Sequence, residues 1–564
     1  MATDAAGAEV DHLAAERAAA RFDVEEMKVA WAGSRHAVEV GDRMARLVAS
    51  DPVFRKDNRT MISRKDLFKD TLRKAAHAWK RISELRLTEE EASLLRQYVD
   101  QPGYVDLHWG MFVPAIKGQG TEEQQKKWLP LAYRFQIIGC YAQTELGHGS
   151  NVQGLETTAT FDPKTDEFVI HSPTLTSSKW WPGGLGKAST HAVVYARLIT
   201  EGKDYGIHGF IVQLRSLEDH SPLPGITLGD IGGKFGSGAY NSMDNGVLRF
   251  DHTIVADASK ALSRAVCIAV RYSAIRKQFG SQDGGPETQD AIEECRKLCG
   301  GHGYLNSSGL PELFAVYVPA CTYEGDNVVL LLQVARILMK AVSQLTSGKQ
   351  PVGTMAYMGK VQYLMQCKCA VNTAEDWLNP VAIQEAFEAR ALRMVVNCAQ
   401  NIGQAAKQEE GFYERSPDLL EAAVAHIQLI IVTKFIEKVQ QDSPGHGVKE
   451  QLQNLCNVYA LYILHKHLGD FLATGCITPK QGALANELLG KLYAQVRPNA
   501  VALVDAFNYT DHYLGSVLGR YDGNVYPALY EEAWKDPLNE TVVPEGYHEY
   551  LRPLLKQQLK LSRL

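Results

Sequence analysis

Apolar residues recur at helical spacing over most of this chain. In residues 261–278 the positions Leu262, Ala265, Val266 and Ala269 fall three or four apart, which is the spacing of one helix face. Residues 378–400 and 419–440 carry the same signal. The first third also predicts helices, opened by two capping boxes, Thr88-x-x-Glu91 and Thr121-x-x-Gln124. In each, the hydroxyl accepts from an amide of the first turn and the later side chain reaches back to the cap. Near the end, Val501-Ala502-Leu503-Val504 follows Pro498, a residue suited to a first helical turn. The pattern changes near Tyr141. Residues 157–161, 168–171, 191–195 and 209–212 read as strands, and glycine and proline punctuate the region as far as Asp251. From Thr253 onward helices are expected to return. The pattern therefore predicts a mainly α chain with a central β domain, in four parts: 1–140 helical, 141–252 β, 253–345 helical and 346–564 helical.

Composition narrows the class. Hydrophobic residues make up 45% of the 564 positions and charged residues 22%, the balance of a water-soluble globular protein. A net charge of −6, with no basic patch interleaved with aromatics, gives no reason to expect nucleic-acid binding. The ten cysteines follow no framework spacing, which suits buried thiols in a reducing compartment. The most apolar helical run, near residues 422–432, contains His426 and Gln428 and is expected to be a buried helix too short to span a bilayer. The first ten residues are small and polar, so no secretory leader is expected. The last three, Ser562-Arg563-Leu564, match the S-K-L type of peroxisomal address that an import receptor reads.

Five segments carry candidate chemistry, and each also has a plain structural reading. Tyr141-Ala142-Gln143-Thr144-Glu145-Leu146-Gly147-His148-Gly149 offers hydroxyl, amide and backbone donors to a flat heterocycle or an anion, or is a polar turn. Lys179-Trp180-Trp181-Pro182-Gly183-Gly184 could form an aromatic wall beside a glycine bend, or a core tryptophan pair. Arg276 ends its helix, where it complements the dipole or contacts a phosphate diester. Cys299-Gly300-Gly301-His302-Gly303-Tyr304 follows a helix, as a glycine C-cap does; Cys295, Cys299 and His302 lack a fourth ligand at zinc spacing, so no metal is expected. In Tyr323-Glu324-Gly325-Asp326-Asn327 a carboxylate beside glycine admits a bulky substrate, while Asp326 or Asn327 can cap the next helix.

Taken together, these segments resemble the acyl-CoA dehydrogenase and oxidase superfamily. Gln143-Thr144-Glu145 with Gly147-His148-Gly149, the Lys179–Gly184 string, Cys321-Thr322-Tyr323-Glu324-Gly325 and the C-terminal Ser-Arg-Leu favour the peroxisomal acyl-CoA oxidases. The resemblance is greatest to the plant branch with medium- to long-chain preference. It implies an N-terminal helical domain, a β-barrel-like domain and two C-terminal helical domains. It also implies FAD as cofactor, fatty acyl-CoA and O2 as substrates, a homodimer and a peroxisomal location. By position, Thr144 and Gly183 match flavin-binding residues. Arg276 and Cys299, Gly300, Gly301, His302, Gly303 and Tyr304 match the part that reaches the FAD of the neighbouring subunit. Glu324 matches the catalytic base.

The chain departs from the family at two joins. Thr253 follows Arg249-Phe250-Asp251-His252 at once, where the family continues through several tens of residues. Asp290 follows Glu287-Thr288-Gln289, where the family has a longer segment, mostly two helices. The first C-terminal helical domain is therefore expected to be truncated, with apolar faces left uncovered. Two other readings stay open: an acyl-CoA dehydrogenase that uses an electron-transfer partner, and a non-catalytic isoform that binds a full-length subunit.

Overall fold

Both capping boxes form. Thr88 Oγ1 accepts from the Glu91 amide at 3.3 Å and the Glu91 carboxylate accepts from the Thr88 amide at 2.8 Å, opening the helix Glu89–Val99. Thr121 and Gln124 do the same for the helix Glu122–Tyr133. A third box, Thr478 with Gln481, opens Pro479–Val496. The computed structural model of the chain describes residues 12–56, 62–149, 151–236, 238–255, 286–319, 326–404, 407–441, 445, 447–543 and 547–552. The described residues fall into two compact units, one drawn from 1–43 and 321–509, the other from 44–320 and 510–564.

The second unit holds the strands. They are β1 (Gly139–Ala142), β2 (Thr158–Asp162), β3 (Glu167–His171), β4 (Lys179–Trp180), β5 (His191–Thr200), β6 (Lys203–Gln213), β7 (Ile226–Asp230), β8 (Gly246–Phe250) and β9 (Thr253–Val255). One sheet runs β1-β5-β2-β3-β9 with β6 also on β5, and a smaller one runs β4-β8-β7. β1 and β2 both lie parallel to β5, pairing with its first and last parts, while β6 returns antiparallel to it. The two sheets share one interior, in which Cys140, Ala142, Ile170, Val194, Phe210, Leu248 and Phe250 are buried together. The sheet passes the expected limits at both ends. In particular, Thr253-Ile254-Val255 does not start a helix. It is a β-branched run, suited to a pleated edge, and pairs antiparallel with β3.

The same unit contains the helices Pro286–Leu298 and Leu310–Tyr317. The 261–278 helix lies outside the described residues. Leu310–Tyr317 docks onto the turn Ala239–Ser242, where the Glu312 carboxylate accepts from the Ala239 amide at 3.0 Å.

The other unit is helical. Asn327–Thr346, Pro380–Gly403, Ser416–Gln440, Val448–Lys466 and Pro479–Val496 pack around Leu338, Phe387, Leu392, Leu429, Leu461 and Leu489. Trp377 is fully buried beside them and donates from its indole N–H to the Gln481 carbonyl at 3.1 Å. The expected short apolar run at 422–432 proves to be part of a 25-residue helix, long and apolar enough for a span by length and composition. Its His426 and Gln428 are nevertheless buried against Tyr357 and Arg390, as in a core helix. Asn327–Thr346 passes the same test with only 17% of its window buried. Val328, Leu330 and Ile337 stand exposed on it, in keeping with the uncovered apolar faces expected beside the joins.

Trp377→Ala should lower the unfolding free energy by roughly 3–5 kcal/mol, through the cavity and the stranded Gln481 carbonyl. An unchanged urea midpoint for the variant would contradict this account of the helical core.

Candidate functional site

β1 delivers the chain to Gln143 and Thr144 and then into a tight turn, in which Glu145 and His148 exchange backbone hydrogen bonds at 3.2 and 3.1 Å. The turn lies along the segment before β4. Thr144 O accepts from the Trp180 amide at 3.0 Å, Leu146 N donates to Ser178 O at 2.8 Å and Gly147 N to Thr176 O at 3.0 Å. Residues 144–147 and 176–180 are thus one unit of structure. Thr144 is half-buried, and among the described residues its hydroxyl has no hydrogen-bond partner.

Glu145 and Lys179 pin this unit from inside. Their side chains have no exposed surface and meet at 2.9 Å. Lys179 Nζ donates also to Gln143 O at 3.1 Å and Tyr195 O at 2.7 Å, which uses all three of its N–H groups. Glu145 accepts in addition from the Glu156 and Thr157 amides, the Thr157 hydroxyl and His148 Nδ1. Burial pushes the Glu145 carboxyl up, but the Lys179 charge and these donors outweigh it, and the net lies below the ordinary carboxylate value. Burial brings the Lys179 ammonium down to about 8 against the pull of Glu145. Both groups are therefore charged at neutral pH.

The tryptophan pair is not a core pair. Trp180 is half-buried, and the Trp181 side chain is 54% exposed with a backbone φ of 86°. A left-handed aromatic residue is strained by about 1–3 kcal/mol, and such strain concentrates at functional sites. It is held here from both sides. Trp181 N donates to Gly246 O at 3.1 Å, Asn245 Nδ2 donates to Trp181 O at 2.7 Å, and Gly246 N donates to Pro182 O at 2.9 Å. Gly183 follows, buried. A Cβ there would overlap Met243 Sδ and come within 2.8 Å of Leu107 Cδ2, so close packing alone requires glycine. Behind the turn, Asp244 is buried and accepts from the Lys187 and Ala188 amides at 2.7 and 2.8 Å; burial raises its carboxyl. His108, lowered by burial to about 4, is neutral, accepting from Gly139 N and donating to Ala132 O.

Thr144 and Gly183 are therefore brought onto one scaffold. Cys299–Tyr304 packs elsewhere in the same unit, on its own flanking helices. Gly300 takes φ 61°, and a Cβ on Gly303 would overlap the Arg296 carbonyl oxygen, so the segment caps its helix as the plain reading has it. Cys299, Gly300, Gly301, His302 and Tyr304 are exposed, and Gly303 is buried beneath them. Cys295 and Cys299 are free thiols. Asp326 caps the helix Asn327–Thr346, accepting from the Val328 and Val329 amides at 3.0 and 3.1 Å. Arg276, Glu324 and the Ser562-Arg563-Leu564 tail lie outside the described residues. The pairing of Glu145 with Lys179, the left-handed Trp181 and the Asp244 and Glu312 anchors were not assigned from the sequence. A lysine opening a two-residue strand gives no periodic signal of its partner.

Three family models match the chain. The acyl-CoA oxidase model covers residues 379–556, the acyl-coenzyme A oxidase N-terminal model 23–138, and the acyl-CoA oxidase C-alpha1 model 246–290 and 287–339. The chain is 65% identical to the peroxisomal acyl-coenzyme A oxidase 1 of Arabidopsis thaliana, over 98% of itself and 100% of that protein. The chain belongs to the acyl-CoA oxidase family. Its fold agrees with the solved Arabidopsis thaliana acyl-CoA oxidase 1, at 62% identity and a TM-score of 0.92 over 98% of this chain and 100% of that one. It also agrees with acyl-CoA oxidase-1 of Caenorhabditis elegans, described as complexed with FAD and ATP. The identity there is 30% and the TM-score 0.87, over 98% of this chain and 99% of that one. The alignment to the Arabidopsis oxidase runs over 661 residues, whereas this chain has 564, so that oxidase has stretches with no counterpart here. The C-alpha1 model matches in two pieces that meet at the second join.

The pair at this oxidase scaffold should be visible in acid. Because the folded-state Glu145 pKa lies below its ordinary value of 4.5, its contribution is present above that value and is lost as pH falls through the folded-state pKa. Glu145→Gln should cost about 3–5 kcal/mol at neutral pH by stranding Lys179, and the gap to the native chain should shrink in acid. A gap of constant size from neutral pH down to pH ~3 would count against a buried ion pair.

Proposed function

We propose that the chain oxidises fatty acyl-CoA to trans-2-enoyl-CoA with FAD and O2, producing hydrogen peroxide, as the first step of peroxisomal fatty acid β-oxidation. The observation that carries this reading is the 65% identity to a peroxisomal acyl-CoA oxidase over that protein's whole length. The residues present fit the cofactor: among the described residues the Thr144 hydroxyl has no hydrogen-bond partner, and the exposed Trp181 sits in the same hydrogen-bonded unit. Thr144 and the Trp181–Gly183 turn would hold the flavin. Arg276 and the exposed residues of Cys299–Tyr304 would meet the flavin of a second subunit in a homodimer. When bound, FAD supplies the acceptor for the hydride from C3 and the path by which O2 becomes peroxide.

The chain's own part is proton chemistry and positioning. The C2 proton of a thioester is weakly acidic, and donors to the thioester carbonyl stabilise the enolate that forms as it leaves. Glu324 takes that proton. An apolar acyl chain packed against it excludes water and raises its pKa towards neutrality, where a base works best. The division into helical, β, helical and helical parts, with the β part widened to take in the strands from Gly139 to Val255, belongs to the same proposal. Location follows from the Ser562-Arg563-Leu564 tail, read by an import receptor, and from the relatives' peroxisomal names.

A second reading has its own support. The missing stretches and the exposed Val328, Leu330 and Ile337 favour a non-catalytic isoform that pairs with a full-length subunit. The visible spectrum of the purified chain separates the two. A yellow protein that bleaches with acyl-CoA and forms peroxide in air is an oxidase; a colourless one that co-purifies with a full-length oxidase is the isoform. Bleaching without peroxide would mark a dehydrogenase.

Glu324→Gln should keep flavin and thioester binding and abolish flavin reduction, because the amide keeps the size and loses the proton acceptor. Near-native turnover would remove Glu324 from the mechanism. An N-terminal fluorescent fusion should collect in peroxisomes, and deleting Leu564 should leave it in the cytosol. An unchanged distribution after the deletion would assign import to another signal.

A further inference from the structure

We propose that Lys179, with Glu145, is the positioning residue of the flavin site, setting Thr144 and the Trp181–Gly183 turn in one fixed relation. The inference rests on the reading that Thr144 faces flavin. The three N–H groups of Lys179 end on three different pieces of chain: Gln143 O immediately before Thr144, Glu145 in the turn after it, and Tyr195 O on β5. Its own strand, β4, leads directly into Trp181. One ammonium thus ties the exit of β1, the entry to the glycine turn and the central strand of the sheet. β4 itself is only two residues long and pairs with β8 through Lys179 and Trp180, too short a ladder to fix the turn unaided.

Glu145 extends the tie outward. His148 Nδ1 reaches Glu145 at 3.1 Å and His148 Nε2 faces Glu156 at 3.5 Å. The Glu156 carboxylate accepts from the hydroxyls of Thr174 and Thr176, on the segment that runs up to Lys179. The path closes on itself, so the loop carrying Thr144 and the loop carrying Trp181 cannot shift independently without stranding a buried charge. An apolar pair of equal volume would fill the space and leave the Gln143 and Tyr195 carbonyls without their donor.

The test uses Lys179→Met with Glu145→Gln in one chain, which removes both charges and nearly keeps volume. It also uses Thr157→Val, a milder change that takes one donor from Glu145. Amide exchange of the FAD-free chain and titration with FAD, read by flavin fluorescence, are measured on both and on Thr144→Val. With circular dichroism unchanged, exchange over residues 143–147 and 180–184 should speed up. The FAD dissociation constant should rise roughly ten-fold in the double variant, as for one charged hydrogen bond lost, and less in Thr157→Val. Native exchange and native FAD affinity in a folded double variant, with Thr144→Val impaired, would overturn the positioning role and leave the flavin reading standing. Should the double variant fail to fold, native exchange and affinity in Thr157→Val would overturn it equally. Native affinity in Thr144→Val, or no FAD binding by the native chain, would overturn the flavin reading and this inference with it.

Discussion

Inside the β part of the chain a carboxylate and an ammonium face each other with no water on either. Removing each from solvent costs several kcal/mol, which mutual attraction offsets only when the remaining donors and acceptors are also satisfied. Glu145 and Lys179 meet that condition: every N–H of the lysine has an acceptor, and both carboxylate oxygens have donors. The constraint then spreads. The donors belong to residues 148, 156 and 157 and the acceptors to 143 and 195, so five positions spread over residues 143–195 meet at two charges. Strand β4 starts at one of them, Lys179. Its two residues carry too few ladder bonds to hold a left-handed tryptophan beyond them, and the strain at Trp181 persists only because Lys179 on one side and Asn245 and Gly246 on the other leave it no alternative.

What could be read from the sequence follows from the range of the interactions involved. The capping boxes at Thr88 and Thr121 are local, spanning three residues, and formed as written. Strands β2, β3, β5 and β6 announce themselves by β-branched and aromatic runs. The helix 378–400 appears as Pro380–Gly403, because Asn379 caps it by accepting from the Val381 amide. Strands β1, β4, β7 and β8 were not legible: each is short, and its pairing is decided by residues far along the chain. The strand Thr253–Val255 reads in the sequence as the return of helix, since its β-branched character is a three-residue signal set against a long helical pattern downstream. The site shows the same division. Thr144 and Gly183 could be placed by motif, whereas the contacts that explain them, with Trp180 in one case and Met243 and Leu107 in the other, are long-range.

The glycine at position 183 has a packing role that its motif does not announce. Its missing side chain makes room for Met243 and Leu107, so the turn can sit down on the structure behind it and leave Trp181 facing outward. Gly303 plays a comparable part at the end of its helix, where the backbone closes on the Arg296 carbonyl and presents Tyr304 to the surface. In both places the glycine serves packing and the neighbouring aromatic is what remains available for contact.

The positions of the two joins now acquire a physical meaning. Glu145, Lys179, Trp181, Gly183, Asp244 and Gly246 all precede His252, and the contacts that hold them, that of Gly183 with Leu107 included, are made by residues before it. This scaffold is therefore complete before the first missing stretch begins, and the strand Thr253–Val255 pairs with β3 at the edge of the sheet. Arg276 and Glu324 come after that point, one on each side of the second join. The second join lies between them, and the helix Asn327–Thr346, which follows Glu324, leaves Val328, Leu330 and Ile337 partly in water. Each such side chain is about half exposed and so forgoes roughly half of the ~1.5–3 kcal/mol that full burial supplies, against a total domain stability of about 5–15 kcal/mol. The missing stretches thus spare the hydrogen-bonded unit that carries Thr144 and the Trp181–Gly183 turn. On the roles proposed for Arg276 and Glu324, they fall on the part that would bring the base and a second subunit to the site, so a loss of function would begin with assembly of the site and leave this unit intact.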